Sequence, residues 1–201
     1  MNCTDHDEVA LRSRKVALRR RLSAQRRKTN DIERSVWGKS LRDTVLSLPE
    51  IQMAGTVAAY VSVGTEPQTR GLIFALWKRG TYVLLPLLLS GGDLDWASYE
   101  GPESLAPGPR GLLQPTEPPR GTQAVTSADL VIVPALAVDR RGLRLGRGGG
   151  SYDRALARVG AAVPTVALIY DHELVESVPA GPHDRPVRMV ARPGHGITRL
   201  R

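Results

Sequence analysis

Long apolar runs are missing from this chain of 201 residues. No stretch approaches the roughly 20 residues a helix needs to cross a bilayer, and the opening MNCTDHDEVALRSRK has no apolar segment of the secretory type. A cytoplasmic protein with no membrane association is therefore expected. Cysteine occurs once, at Cys3, which excludes an internal disulfide and, so near the end of the chain, argues against a catalytic thiol. His6, His172, His183 and His195 share no zinc-ligand spacing, and there is no Gly-x-Ser-x-Gly elbow, so zinc and serine hydrolases are set aside. Neither G-x-x-x-x-G-K-[ST] nor a complete G-x-G-x-x-G occurs, which removes the two common nucleotide fingerprints. Acidic charge is also in short supply, with 20 carboxylates against 28 lysines and arginines and a net charge of +8. That excess is one mark of nucleic-acid binders, and Arg19-Arg20-Arg21 and Arg26-Arg27-Lys28 are the segments such a protein would use. Aromatics, however, make up only 4% of the chain. No helix-turn-helix, zinc-finger or RNA-recognition signature accompanies the scattered arginines. A solvated helix face and a small anionic substrate account for the same charge.

With 41% hydrophobic residues, the chain can bury one sizeable core, and a single domain over residues 1–201 is expected. Helical and strand patterns alternate, which points to an α/β fold: three layers, α/β/α, with a mainly parallel central sheet. Helices are expected over residues 7–27 and 31–48, the second with Trp37, Leu41, Val45 and Leu48 on one side. A third opens near Thr69 and is closed by Gly80. Strands are expected at 56–63, 82–89, 93–100, from Leu130, and at 165–170 and 187–191. Residues 101–119, rich in proline and glycine, read as a long surface loop able to cover a binding site.

The run from Asp139 to Asp153, DRRGLRLGRGGGSYD, is the most informative segment. It follows the apolar Leu130-Val131-Ile132-Val133 and precedes a helix carrying Tyr152, Ala155, Leu156 and Val159 at helical spacing. Gly142, Gly146, Gly148, Gly149 and Gly150 let the main chain approach a ligand closely. Arg140, Arg141, Arg144 and Arg147 add planar charged forks suited to phosphate oxygens, and no carboxylate lies between the two bounding aspartates. The run ends at a helix N-terminus, which favours anions. Its alternative is an ordinary mobile surface loop.

Three further positions draw attention. Leu11, Lys15, Leu18 and Leu22 form one helical stripe, so Lys15 lies within an apolar face, where it either snorkels to solvent or meets a ligand. Glu66 lies just past a strand and before a helix, where open sheets bind ligands and where helix-entry charges are also common. Asp153 and Asp184 are explained locally by the first turn of a helix and by a turn.

Pro134 to Arg154, PALAVDRRGLRLGRGGGSYDR, resembles the signature of the 5-formyltetrahydrofolate cyclo-ligase family, also called 5,10-methenyltetrahydrofolate synthetases. The order of other features agrees from Lys15 to about Val190, and Lys15-Val16-Ala17-Leu18-Arg19 is similar to the family's N-terminal K-x-x-L-R segment. The resemblance implies ATP-dependent cyclisation of 5-formyltetrahydrofolate to 5,10-methenyltetrahydrofolate, with ADP and phosphate released through phosphorylation of the formyl oxygen. By the same implication Lys15 and Arg147 are catalytic. Lys15, Arg19, Arg144, Gly146, Arg147, Gly148, Gly149, Gly150, Ser151 and Tyr152 hold ATP; Val61, Glu66, Arg147 and Gly148 to Gly150 meet the reduced folate; and Asp153 and Asp184 ligate Mg2+, which suits oxygen ligands shared with phosphates. No obligate protein partner is implied. The chain departs from the pattern at Ser151, where relatives carry a tyrosine before Tyr152, and at Arg188, where an acidic residue is common. A nucleic-acid-binding module and an ATP-using relative with another substrate are the alternatives.

Overall fold

The computed structural model describes residues 3–200, except for the side chains of residues 3–6 and 110; the readings of Cys3 and His6 fall outside these described side chains. The chain begins with α1 (Cys3–Arg26), α2 (Asp31–Leu46) and the short α3 (Pro49–Met53). Asn30 sets the start of α2: its side chain accepts the Glu33 N–H while the Glu33 carboxylate accepts the Asn30 N–H, so two otherwise orphaned donors are satisfied reciprocally. Then come β1 (Thr56–Ala58), α4 (Arg70–Lys78), β2 (Tyr82–Leu88), β3 (Leu94–Ser98), β4 (Leu105–Pro107), β5 (Leu113–Pro115), β6 (Leu130–Pro134), β7 (Ala137–Asp139) and β8 (Arg144–Leu145). The remainder is α5 (Ser151–Arg158), β9 (Thr165–Leu168), β10 (Leu174–Val175), β11 (Met189–Arg192) and β12 (Gly196–Arg199).

The central sheet has seven strands in the order β12-β11-β9-β6-β1-β2-β3. Its five inner strands run parallel, and the two edge strands, β3 and β12, are antiparallel to their neighbours. Side chains alternate across it as a pleat requires. Val57, Val83, Leu130, Ile132 and Val166 face Leu41, Val45, Leu72 and Leu76 of α2 and α4. Ala58, Leu84, Val131, Val133 and Ala167 face Ala155 and Leu156 of α5 together with Val125. The result is a helix, sheet and helix layering with a mainly parallel centre, as the alternating pattern predicts. Across the carboxyl ends of the strands lies α1, whose Leu22 and Leu18 pack on Leu136, Ala137, Leu145 and Val178. That contact sits on a small sheet, β10-β7-β8.

Several elements differ from the sequence reading, each for a local reason. The strand expected over 56–63 stops at Ala58 because Ser62 and Thr69 exchange side-chain and backbone hydrogen bonds, and Thr69 also donates to the Tyr60 carbonyl. Side chains there replace the ladder. The expected 101–119 loop contains the antiparallel β4–β5 pair. The expected open run after Asp139 begins as the β7–β8 hairpin, closed by buried Asp139, whose carboxylate accepts the N–H groups of Arg141 and Leu143. Gly142 turns this hairpin at φ +80°, and a Cβ there would lie 2.2 Å from the Val187 carbonyl oxygen. Arg26, read as part of a basic surface segment, is instead buried. It donates to both carboxylate oxygens of Glu173 at 2.6 and 2.8 Å and to the Ala135 carbonyl at 2.6 Å. No helix among the described residues is long and apolar enough to cross a membrane.

Candidate functional site

From β1 the chain passes to β2 on one side, while β6 leads to β9 on the other, so strand order reverses between β1 and β6. The crevice outside the carboxyl ends at such a reversal is where open α/β sheets bind ligands. Here it is a cleft of about 830 Å³ roofed by α1. Each site residue predicted from the sequence lines it: Lys15, Arg19, Val61, Glu66, Arg144, the run Gly146 to Asp153, and Asp184.

One half of the cleft is polar and cationic. Lys15, Arg19 and Arg26 are four and seven residues apart, so one stripe of α1 aims all three at the cleft. Lys15 Nζ donates to both Asp184 oxygens, at 2.9 and 2.6 Å, and Arg19 Nε donates to the Gly146 carbonyl at 2.8 Å. The glycine loop passes close beneath α1: Gly148, at φ +107°, leaves only 3.4 Å between an added Cβ and the Arg19 guanidinium carbon. Arg144 is buried, donates to Asp153 Oδ1 at 2.9 Å and lies 5.9 Å from the centre of the Tyr152 ring. Arg147 is more than half exposed; its Nε lies 3.0 Å from Glu66 Oε1, and its Nη2 donates to the Val63 carbonyl at 3.2 Å. Ser151 Oγ donates to the Gly92 carbonyl, tying the loop to the β2–β3 turn.

These pairs correct the expectation of arginines free of counter-charge. Arg141 is tied to Asp139 at 2.7 Å and helps close the hairpin, while Arg144 and Arg147 meet Asp153 and Glu66. Lys15 and Arg19 likewise rest on acceptors. In chemical terms this is a site whose donors already hold the geometry of oxygen-rich contacts, and an incoming phosphate would exchange with a carboxylate or carbonyl.

Asp153 and Asp184 meet around one corner. Asp153 Oδ1 also accepts the Arg185 N–H at 3.0 Å, and Asp184 Oδ2 accepts the Gly181 N–H at 2.6 Å. Burial pushes the Asp184 carboxyl upward, but hydrogen bonds from Lys15 and the Gly181 N–H outweigh it and leave the group below its ordinary value. No cluster of three or more His, Cys, Asp or Glu occurs among the described residues. Magnesium needs only one or two carboxylates when phosphates and water complete its shell. Asp153 Oδ2 accepts no hydrogen bond among the described residues, so this donor set fits a magnesium ion shared with a polyphosphate.

The other half is an apolar slot. It is lined by Val61 from the segment after β1, Pro86 and Leu88 from β2, Leu94 from β3, and Leu112, Leu113 and Gln114 from the β4–β5 segment. The 101–119 stretch thus borders the cleft. Glu66 is the buried carboxylate at the junction of the two halves, and its Oε2 accepts the Val63 N–H at 2.8 Å. Burial and, after it, the Glu66 charge raise the pKa values of the Tyr60 and Tyr152 hydroxyls.

Sequence reasoning missed Tyr60 and Arg26, and it named the 101–119 stretch without singling out Leu112 to Gln114 within it. For Arg26 a signal existed, because it continues the Lys15 and Arg19 stripe. Tyr60 sits inside an apolar strand pattern and reads there as core.

Comparison with known proteins adds a family. The sequence profile of the 5-formyltetrahydrofolate cyclo-ligase family matches residues 12–193. A 5-formyltetrahydrofolate cyclo-ligase of Mycolicibacterium smegmatis is 38% identical over 193 residues, covering 93% of this chain and 97% of the relative. One from Escherichia coli K12 is 31% identical over 172 residues, covering 84% and 94%. Among solved structures, the Aquifex aeolicus 5,10-methenyltetrahydrofolate synthetase superposes with a TM-score of 0.80 at 27% identity, covering 93% of each chain. A Mycoplasma pneumoniae 5,10-methenyltetrahydrofolate synthetase shares the fold at a TM-score of 0.69 and 18% identity, covering 88% of this chain and 96% of the other.

Proposed function

The chain belongs to the 5-formyltetrahydrofolate cyclo-ligase family, and from that premise we propose that it converts 5-formyltetrahydrofolate and ATP to 5,10-methenyltetrahydrofolate, ADP and phosphate. The observation that carries this reading is the joining, in one cleft at the strand-order reversal, of a cationic glycine-walled half to an apolar half, with Glu66 between them. A polyphosphate fits the first and a reduced pterin the second.

In the proposed reaction the formyl oxygen attacks the γ-phosphorus and ADP leaves. N10 of the folate then adds to the activated carbon and loses its proton, and expulsion of phosphate leaves the methenyl bridge. No protein nucleophile is required. The protein's work is positioning and charge stabilisation. Lys15 and Arg19 on α1, Arg144 on β8 and Arg147 on the loop gather the phosphates, while the backbone of Gly148 to Gly150 and the first turn of α5 add N–H donors. Arg147 bridges the two halves, since it already touches Glu66 and reaches solvent in the cleft, so it is suited to the transferring phosphoryl group. Glu66 accepts from the donor edge of the pterin and fixes its register; Val61 supports the ring. Asp153 and Asp184 would hold magnesium, which when bound neutralises charge on the phosphate oxygens.

The reading is tested by following absorbance of the methenyl product from 5-formyltetrahydrofolate, with ATP and magnesium supplied or withheld. ATP-dependent product is expected. Its absence with active, folded protein sinks the reading, and salt-sensitive binding to RNA or DNA without any ATP requirement would support the nucleic-acid alternative.

A further inference from the structure

Buried polar atoms in folded proteins nearly always have a partner, and each exception asks for a reason. Among the described residues six buried side-chain nitrogen or oxygen atoms have none, and three of these belong to residues lining the cleft: Tyr60 OH, Gln114 Nε2 and Arg144 Nε. Leaving such an atom unpaired is destabilising. The clustering of orphans around the cleft is the pattern expected of groups kept for a ligand.

Tyr60 is the most pointed case. The residue is 3% exposed, lines the cleft one position before Val61, and its hydroxyl meets no acceptor or donor. Its surroundings decide what it can offer. Burial, reinforced by the nearby Glu66 charge, holds the hydroxyl's pKa well above its ordinary value, so it remains an uncharged donor across the physiological range. The Glu66 carboxylate, by contrast, offers only acceptors. The polar edge of a 2-amino-4-oxo pterin presents an amine and a ring N–H, which suit a carboxylate, beside a carbonyl oxygen, which needs a donor. Carboxylate and hydroxyl together match that edge; either alone leaves part of it unpaired.

We propose that Tyr60 is a specificity-determining residue whose hydroxyl donates a hydrogen bond to the pterin carbonyl in the same subsite as Glu66. The inference rests on the proposed cyclo-ligase function. It concerns the folate and not the nucleotide, and it adds a polar contact to a wall that the strand pattern marks as apolar.

The test is Tyr60→Phe, which deletes one oxygen and keeps the ring. Steady-state kinetics are to be measured separately against 5-formyltetrahydrofolate and ATP, alongside the thermal midpoint of the free protein. One neutral hydrogen bond of about 1–2 kcal/mol corresponds to a factor of about 5–30. KM for the folate is expected to rise by about that factor, with kcat within about twofold and KM for ATP unchanged. The free variant's midpoint should stay level or rise, because an unpaired buried polar atom has been removed; a merely structural hydroxyl would lower it. An active wild type whose folate KM is the same as that of Tyr60→Phe overturns this inference and leaves the function standing, as does a rise confined to the KM for ATP. A folded wild type that neither binds nor turns over the folate overturns both.

Discussion

Arg147→Ala separates a chemical role from a structural one, because the two predict effects of very different size. In the free protein the Arg147 side chain is 59% exposed and is held by one contact to Glu66 at 3.0 Å and one to the Val63 carbonyl at 3.2 Å. A pair with so exposed a partner contributes about 0.2–1 kcal/mol to folding. For a chain of this length that lowers the thermal midpoint by no more than about 4 °C. Glu66 keeps its hydrogen bond from the Val63 N–H, so the site does not lose its other support. Removing a donor aimed at charge that develops in the transition state costs about 10²–10³ in kcat, or about 2.7–4 kcal/mol. The assay is initial-rate methenyl formation with both substrates varied, on protein whose melting has been measured. The fall should lie mainly in kcat, and Arg147→Lys should recover only part of it, since an ammonium lacks the planar fork. A folded Arg147→Ala that turns over like wild type refutes the reasoning; so does an activity loss that is matched by a fall in midpoint large enough to unfold the enzyme at the assay temperature.

Arg26→Met should act on stability first. It leaves the fully buried Glu173 without its guanidinium, a loss of about 3–5 kcal/mol, or about 6–20 °C in thermal midpoint; adding Glu173→Gln should restore part, and a fall under about 2 °C would contradict the buried-pair account. Asp93 supplies a pH dependence. Arg158 beside it holds the carboxyl below its ordinary value of 3.8, so its stabilisation is present above that value and is lost as pH falls through the lower folded value. The gap in urea midpoint between wild type and Asp93→Asn should therefore narrow below about pH 4, whereas a gap constant from neutral to acid pH would count against the pairing.

What could be read from the sequence followed local rules. Helical period put Lys15 on the α1 face that meets the cleft, and the glycine spacing identified the stretch from Gly146 to Gly150. The alternation of patterns foretold a mainly parallel sheet between helices. Pairings between distant segments could not be read in the same way. Arg144 and Arg147 are the same residue type three positions apart, yet one is buried against Asp153 and the other reaches out to Glu66. Nothing local distinguishes them. Arg26 looked like one more cation in a basic segment because its partner, Glu173, lies 147 residues away. The β7–β8 hairpin escaped notice since β8 has two residues and its closure depends on the Asp139 side chain. Tyr60 was hidden by its neighbours: within a run of apolar residues the ring reads as core, and only the tertiary arrangement leaves its hydroxyl unpaired at the cleft wall. Arg26 and Arg144 are likewise committed to internal carboxylates, a distinction among the many cations that no local pattern shows.

In the proposed reaction this cleft brings the folate's formyl oxygen onto the γ-phosphorus. The most direct measurement uses 5-formyltetrahydrofolate carrying an oxygen-18 label in the formyl group and determines, by mass spectrometry, where the label goes after turnover with ATP and magnesium. One labelled oxygen is expected in each phosphate released, in step with methenyl formation. Unlabelled phosphate alongside methenyl product, with the label appearing in water, would contradict it.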